Sequence, residues 1–192
     1  MQTTRRSTRT LVLGAVLTAL VVVLQLLGSF IHLGPFSITL VLLPIVIGAA
    51  TCGIAVSVWL GLVFGGVVLM TDAAAFYAVS VIGTVITVLA KGGLCGLAAG
   101  LVYKLFEKKN RYLAVIAAAV VCPIVNTGVF MLGCVVFFLE TIKSWGLAEG
   151  FGSAAEYMFL GLAGGNFLFE LGTNIVLSPV VVRLLNIRKK SL

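Results

Sequence analysis

Gly165-Asn166-Phe167-Leu168-Phe169-Glu170-Leu171-Gly172-Thr173-Asn174 sets a carboxylate and three other polar side chains inside an apolar segment running over about 157–185. Asn166, Glu170 and Asn174 recur every four residues, so a helix brings them onto one face, with Thr173 beside them. An ionisable group in a transmembrane helix costs roughly 2.5–3.5 kcal/mol on insertion scales, and it reads as a functional group turned away from lipid. Two other apolar segments offer it partners: Lys91 lies inside 79–102 and Asn126 inside 113–138.

Composition fixes the class. With 61% hydrophobic residues, 10% charged residues and a mean hydropathy of +1.22, the chain lies outside the range of soluble domains. It reads as an all-α integral membrane protein. A span takes about 20 residues, so the 192 residues form a single six-transmembrane-helix bundle with spans at about 11–31, 36–50, 54–70, 79–102, 113–138 and 157–185. Almost nothing remains for a soluble domain. The 36–50 segment is short and interrupted by Pro44, yet it is kept as a crossing, because a re-entrant hairpin there would upset the distribution of charge.

That distribution explains the net charge of +7 without nucleic acid. Arg5, Arg6 and Arg9 precede the first span, Lys104, Lys108, Lys109 and Arg111 separate the fourth from the fifth, and Arg183, Arg188, Lys189 and Lys190 follow the sixth. Four crossings and then two put all three clusters on one side, so the positive-inside rule sets both termini in the cytoplasm. The other side carries Asp72, Glu140, Glu149 and Glu156 against Lys143.

Cys52, Cys95, Cys122 and Cys134 are scattered singly and read as small hydrophobes. The first apolar segment is too long for a signal-peptide core and is retained as a span. Its small residues Gly14, Ala15, Thr18 and Ala19 suit close helix packing, either within the chain or against another subunit. Gly28 to Pro35 forms a short outer loop with the one histidine, His32. Gly61, Gly65 and Gly66 on the third span, and Gly92, Gly96 and Gly100 on the fourth, read as packing contacts. In the fifth span, Pro123 frees a backbone carbonyl that needs a new donor, which points to a local break lining a polar cavity beside Asn126 and Thr127. The long connection 139–156 is either a lid or a plain linker.

Depth brings the polar residues together. Lys91 and Glu170 each lie 13 residues from outer ends taken at Ala78 and Tyr157, and Asn126 lies 12 from Phe138. At about 1.5 Å per residue all three fall roughly 18–20 Å inward. A Lys91–Glu170 ion pair bridged by Asn126 would lower the cost of both charges. Such a pair either joins helices structurally or points into a ligand cavity, and the residues leave both readings open.

Catalysis finds little support. The sequence has no GxxxxGK[ST] phosphate loop, no HExxH, no carboxylate cluster for a metal, and no serine paired with an accessible histidine. The reading is therefore not an enzyme, with no catalytic and no metal-binding residues. An autonomous ion-coupled carrier, with Glu170 as its protonation site, is the alternative from a different class.

The order of features resembles a known family. The six short spans with cytoplasmic ends, Gly34-Pro35-Phe36-Ser37-Ile38-Thr39-Leu40 leading into Pro44 and Gly48, Lys91 ahead of Gly96 and Gly100, and Pro123-Ile124-Val125-Asn126-Thr127 look like the substrate-binding S component of an energy-coupling factor (ECF) vitamin transporter. The likeness covers essentially the whole chain. Ala15 and Ala19 match the family's AxxxA docking motif.

The resemblance implies a subunit of an ABC importer in the bacterial plasma membrane that captures a water-soluble vitamin from outside. It implies partnership with a transmembrane coupling subunit and two ATPases, which use the ATP, and no cofactor in this chain. Family transport involves toppling of the S component in the bilayer. Family sites lie in the outer half of the membrane, which draws attention to Asn166, one turn above Glu170. The expected substrate-binding residues are Lys91, Asn126, Asn166, Glu170 and Asn174. Lys91 suits a carboxylate-bearing vitamin, and the Asn-Thr pair resembles the pantothenate and riboflavin subgroup, so pantothenate is favoured. Riboflavin comes next, since a neutral flavin leaves Lys91 to pair with Glu170.

Overall fold

The apolar runs become helices because the backbone of a membrane span must satisfy its own hydrogen bonds. A computed structural model of the chain describes residues 2–30, 32–33, 36–37 and 40–190, with side chains at 8–30, 40–183 and 185. Several residues used above lie outside these limits. They are Gly34, Pro35, Ile38 and Thr39 together with the side chains of Arg5, Arg6, His32, Arg188, Lys189 and Lys190.

Helix α1 covers Gln2–Gly28. Two short strands follow, β1 (His32–Leu33) and β2 (Phe36–Ser37), paired antiparallel with His32 opposite Ser37. Then come α2 (Leu42–Cys52), α3 (Ile54–Thr71), α4 (Ala74–Tyr77), α5 (Val81–Phe106) and α6 (Arg111–Phe137). Beyond them lie α7 (Leu139–Ala148), α8 (Ala154–Glu156), a π-helical segment (Tyr157–Gly164) and α9 (Gly165–Lys190).

Among the described residues, five helical stretches are long and apolar enough to cross a membrane: Thr8–Gly28, Ile54–Thr71, Val81–Phe106, Arg111–Phe137 and Ala154–Arg183. The segment expected at 36–50 instead gives β2 and the 11-residue helix α2. A helix of that length rises only about 16 Å, about half the hydrocarbon core. The connections are more regular than expected. The Thr71–Ala78 stretch holds α4, and the 139–156 stretch holds α7, which buries Ile142 and lays Gly146 against Tyr157.

Local chemistry sets the boundaries. Ser80 caps α5 by accepting from Gly83 N at 3.1 Å, and Asn110 caps α6 by accepting from Tyr112 N at 2.8 Å. Gly53 turns the chain between α2 and α3 at φ +93°, a backbone angle that L side chains rarely adopt. The glycines expected to pack do so most closely between α3 and α5. A Cβ on Gly61 would collide with the Gly92 carbonyl, and a Cβ on Gly92 with that of Gly61. The side chain of Ser57 donates to the Gly96 carbonyl at 2.8 Å along the same seam.

The main core gathers Leu17 and Val21 of α1, Ile45 and Val46 of α2, Leu60 and Phe64 of α3, Ala118 and Cys122 of α6, and Val181 and Val182 of α9. A smaller core at the end of the bundle that holds α4 and α7 joins Phe76, Phe138, Ile142, Tyr157 and Leu162. Large apolar side chains also cover the outside, as lipid-facing helices require: Met70 is 87% exposed and Leu105 73%. The four cysteines are free, and Cys95, Cys122 and Cys134 are buried among apolar neighbours.

Gly61→Ala is expected to lower the midpoint of thermal unfolding in detergent by the equivalent of about 1–3 kcal/mol. Gly66→Ala on the same helix, where the added methyl meets nothing within 4 Å, should change it by less than about 1 kcal/mol.

Candidate functional site

Helices α6 and α9 meet around Glu170. Its side chain is 1% exposed and accepts from Asn126 Nδ2 of α6 at 3.4 Å and from Asn166 Nδ2 of its own helix at 3.0 Å. Amide donors from two elements replace the water that a carboxylate would otherwise demand. The expected link between Asn126 and Glu170 is thus present, and Asn166 joins it from one turn above.

The position of this cluster depends on the π segment. A π turn takes its hydrogen bonds from i to i+5 and holds more residues than an α turn, so Tyr157–Gly164 advances less along its axis than the same number of α-helical residues. Glu170 therefore sits nearer the level of Tyr157 than a uniform α rise gives. The same turns rotate Asn166 and Glu170 relative to Tyr157, an offset that a constant 3.6-residue period does not contain.

Lys91 of α5 is half-buried and takes an aromatic setting. Its ammonium stands 5.5 Å from the Phe64 ring centroid and 5.1 Å from that of Phe130, within cation–π range. Glu170 and Asp72 are both near enough for their charges to act on it. Asn126 thus bonds Glu170 as the sequence led one to expect, and Lys91 has two rings beside it.

Asn174 has another task. Its Nδ2 donates to the Ala119 carbonyl at 3.3 Å, and Ala119 is the residue four before Pro123. Proline has no N–H to offer that carbonyl, so Asn174 of α9 supplies the missing donor. The break expected at Pro123 is absent for this reason: α6 runs unbroken from Arg111 to Phe137. The freed carbonyl is answered by a neighbouring helix, not by a polar cavity. Ser178 then donates to the Asn174 carbonyl at 2.6 Å, one turn further along.

Several buried acceptors near this level have no partner among the described residues: Asn126 Oδ1, Asn166 Oδ1 and Thr87 Oγ1. They belong to α6, α9 and α5 respectively. Buried polar atoms are normally paired, and these three are not.

Sequence reasoning passed over the aromatic side chains that lead to this level. Phe76 of α4 stacks edge-to-face with Trp145 at 5.5 Å, Phe138 at 5.0 Å and Phe130 at 5.8 Å. Phe130 in turn carries Lys91. A column of rings therefore runs from a cavity of about 310 Å³, lined in part by Asp72, Phe76, Trp145, Glu149 and Tyr157, to the Lys91 ammonium. Loop aromatics spaced 69 residues apart, Phe76 and Trp145, carry no local signal of this contact.

On the opposite flank, Ala15 and Ala19 are exposed and line an open groove of about 950 Å³ with Thr10, Leu11, Gly14, Thr18, Val56 and Trp59. Thr18 turns its hydroxyl back to the Gly14 carbonyl at 2.8 Å and accepts from Trp59 Nε1 at 3.2 Å. The small-residue face of α1 is therefore only partly filled by α3.

The family model of the ECF transporter substrate-specific component matches residues 9–185. The chain belongs to this family. No curated protein and no solved structure matches it. As a member, the S component described here is a substrate-binding subunit of a transporter and not of an enzyme family, and membership implies partnership with ECF coupling and ATPase subunits.

Removing the amide of Asn174 should expose the proline defect. Asn174→Leu is expected to cost about 1–3 kcal/mol of stability, and Pro123→Ala should suppress most of that loss by restoring an N–H for the Ala119 carbonyl. Thermal unfolding of the two single variants and the double variant checks this. Equal losses in both backgrounds would remove the proposed task from Asn174.

Proposed function

We propose that this S component captures a water-soluble vitamin or vitamin-like solute from outside and delivers it with the ECF coupling subunit and two ATPases. The observation that carries this reading is the convergence of Lys91, Asn126, Asn166 and Glu170 from three helices at the foot of an aromatic column that begins at an outer cavity. A soluble ligand entering there meets apolar faces first and hydrogen-bonding groups beneath, the usual composition of a small-molecule site.

The topology follows from the same reading. The chain crosses the bacterial plasma membrane six times with both termini cytoplasmic, the stretch 36–50 making the second crossing in a locally thin part of the bilayer. The groove at Ala15 and Ala19 receives the coupling subunit, since small residues let a partner helix approach closely in lipid. Asn174 supports the site from below by completing the backbone of α6.

On the ligand, the geometry shifts the balance set by the sequence. The preference for pantothenate rests on Lys91 meeting a carboxylate, yet its ammonium already lies against two rings and feels the charges of Glu170 and Asp72. The unpartnered groups at this level include amide oxygens of Asn126 and Asn166, which ask for donors on the ligand. Riboflavin and other solutes rich in N–H or O–H groups fit that inventory better than a ligand read by its carboxylate.

Mass spectrometry of small molecules released from the detergent-purified protein identifies the ligand. Ala15→Leu combined with Ala19→Leu is expected to leave that ligand bound while abolishing capture of the coupling subunit and uptake in cells. Loss of the ligand would mean that this face packs within the chain. Uptake into proteoliposomes driven by an ion gradient without ATPases would favour the autonomous carrier.

A further inference from the structure

The end of the bundle away from α4 and α7 carries a different chemistry. Gly83, near the start of α5, lies against Phe137 at the end of α6, so the two helices run antiparallel and the turn between them closes the opposite end. That turn is tight. Lys109 N and Asn110 N both donate to the Phe106 carbonyl at 3.0 Å, and Asn110 Oδ1 accepts from Leu113 N at 3.3 Å as well as from Tyr112 N. Lys104, Lys108, Lys109 and Arg111 are thereby gathered on one hairpin, against the single carboxylate of Glu107. All four cations are exposed, and among the described residues no ion pair engages them; the Lys143–Glu140 pair belongs to the other end.

Exposed apolar side chains begin within one turn of these charges. Leu101, Lys104 and Leu105 share a face of α5, being three and four residues apart, and the two leucines are 51% and 73% exposed. On α6, Tyr112 and Leu113 directly follow Arg111 and are exposed as well. Arg111 lies close enough to Tyr103 of α5 for its charge to act there, so the turn folds the guanidinium back toward α5. A surface cationic at its tip and apolar along its flank matches an amphiphile of opposite charge. Lysine stems can lie along the apolar flank with their ammonium groups at headgroup level, and a guanidinium takes a phosphate through paired N–H groups. Nucleic acid or an acidic protein would use the cations and leave the leucines without a counterpart.

We propose that the α5–α6 hairpin binds an anionic phospholipid, its phosphate held by Lys104, Lys108, Lys109 and Arg111 and its acyl chains lying along Leu101, Leu105 and Leu113. The attraction fades within a Debye length, about 8–10 Å at ordinary salt. It therefore selects among the lipids that touch the hairpin and leaves the rest of the bilayer unsorted. This goes beyond solute capture, because it gives the subunit a second class of ligand at the end remote from α4 and α7, whichever solute the chain takes.

The test uses the full chain in nanodiscs, with Trp59→Phe and Trp145→Phe removing the native indoles and Tyr112→Trp placing a single fluorescent reporter at the hairpin. Phosphatidylglycerol or phosphatidylcholine with brominated acyl chains is mixed into unlabelled phosphatidylcholine, and quenching gives the relative affinity of each lipid for the surface beside the indole. The expected result is a preference of about five-fold for phosphatidylglycerol, which falls toward unity as salt is raised from about 0.1 M to about 0.5 M. In the same background without Tyr112→Trp, Ile82→Trp moves the reporter to a 72% exposed position at the far end of α5, where the two lipids should quench equally. Both leaflets of the disc have one composition, so the comparison does not depend on which side the hairpin faces. Changing Lys104, Lys108, Lys109 and Arg111 together to Gln should abolish the preference. Equal quenching at position 112, an equal preference at position 82, or a preference untouched by salt would each overturn the proposal, and the salt series does so even where the fourfold variant fails to fold. Loss of the preference on adding inorganic phosphate at constant ionic strength would also overturn it, by showing a site for a free anion in place of a lipid.

Discussion

Every polar group within a lipid-embedded bundle must find its partner inside the protein, and in this S component that constraint is met chiefly between α6 and α9. Asn126 donates to Glu170 across that interface, and Asn174 donates to the carbonyl left open by Pro123. Neither helix is complete alone. Without α9 the Ala119 carbonyl would face a gap in its own helix, and without α6 the carboxylate would lose the donor from Asn126. Because an unsatisfied polar group in hydrocarbon costs several kcal/mol, these cross-bonds lock the two helices in register and hold the polar cluster at a fixed depth.

On the other side of the bundle, glycines do the corresponding work between α3 and α5. The backbones at Gly61 and Gly92 approach until no side chain fits, and Ser57 closes the seam with its bond to Gly96. This brings Phe64 of α3 beside Lys91 of α5, and Phe130 of α6 completes the enclosure of the ammonium. A cation in the bundle is thus carried by packing contacts as much as by opposite charge. Helix α1 reaches both concave regions: Ala15 and Ala19 lie on the open groove, and Gln25, further along, bonds Asp72 of the smaller cavity. The groove and the cavity thus lie at different levels of one helix and share no lining side chain.

Much of this was legible in the residues. The apolar runs gave the membrane class and the approximate limits of the long helices, since length and hydropathy alone decide whether a segment can span lipid. The four-residue spacing of Asn166 and Glu170 foretold a shared face, and Pro123 announced a carbonyl in need of a donor. The identity of that donor was not legible, because Asn174 lies 51 residues away and nothing local links the two. The 36–50 segment was read as a full span on hydropathy and charge parity, whereas the backbone forms a short strand and an 11-residue helix there.

By itself the sequence determined that this chain lives in a bilayer, that its cations gather in three clusters, and that a few polar residues must meet inside it. These follow from composition and from the cost of burying charge, which act on each segment separately. Only the tertiary structure decided which polar group answers which: Asn174 to the backbone of α6, Lys91 to two rings, and Phe76 to Trp145 above them. Those pairings depend on helix rotation and on the offset introduced by the π segment, geometric quantities that arise only when separate helices pack together.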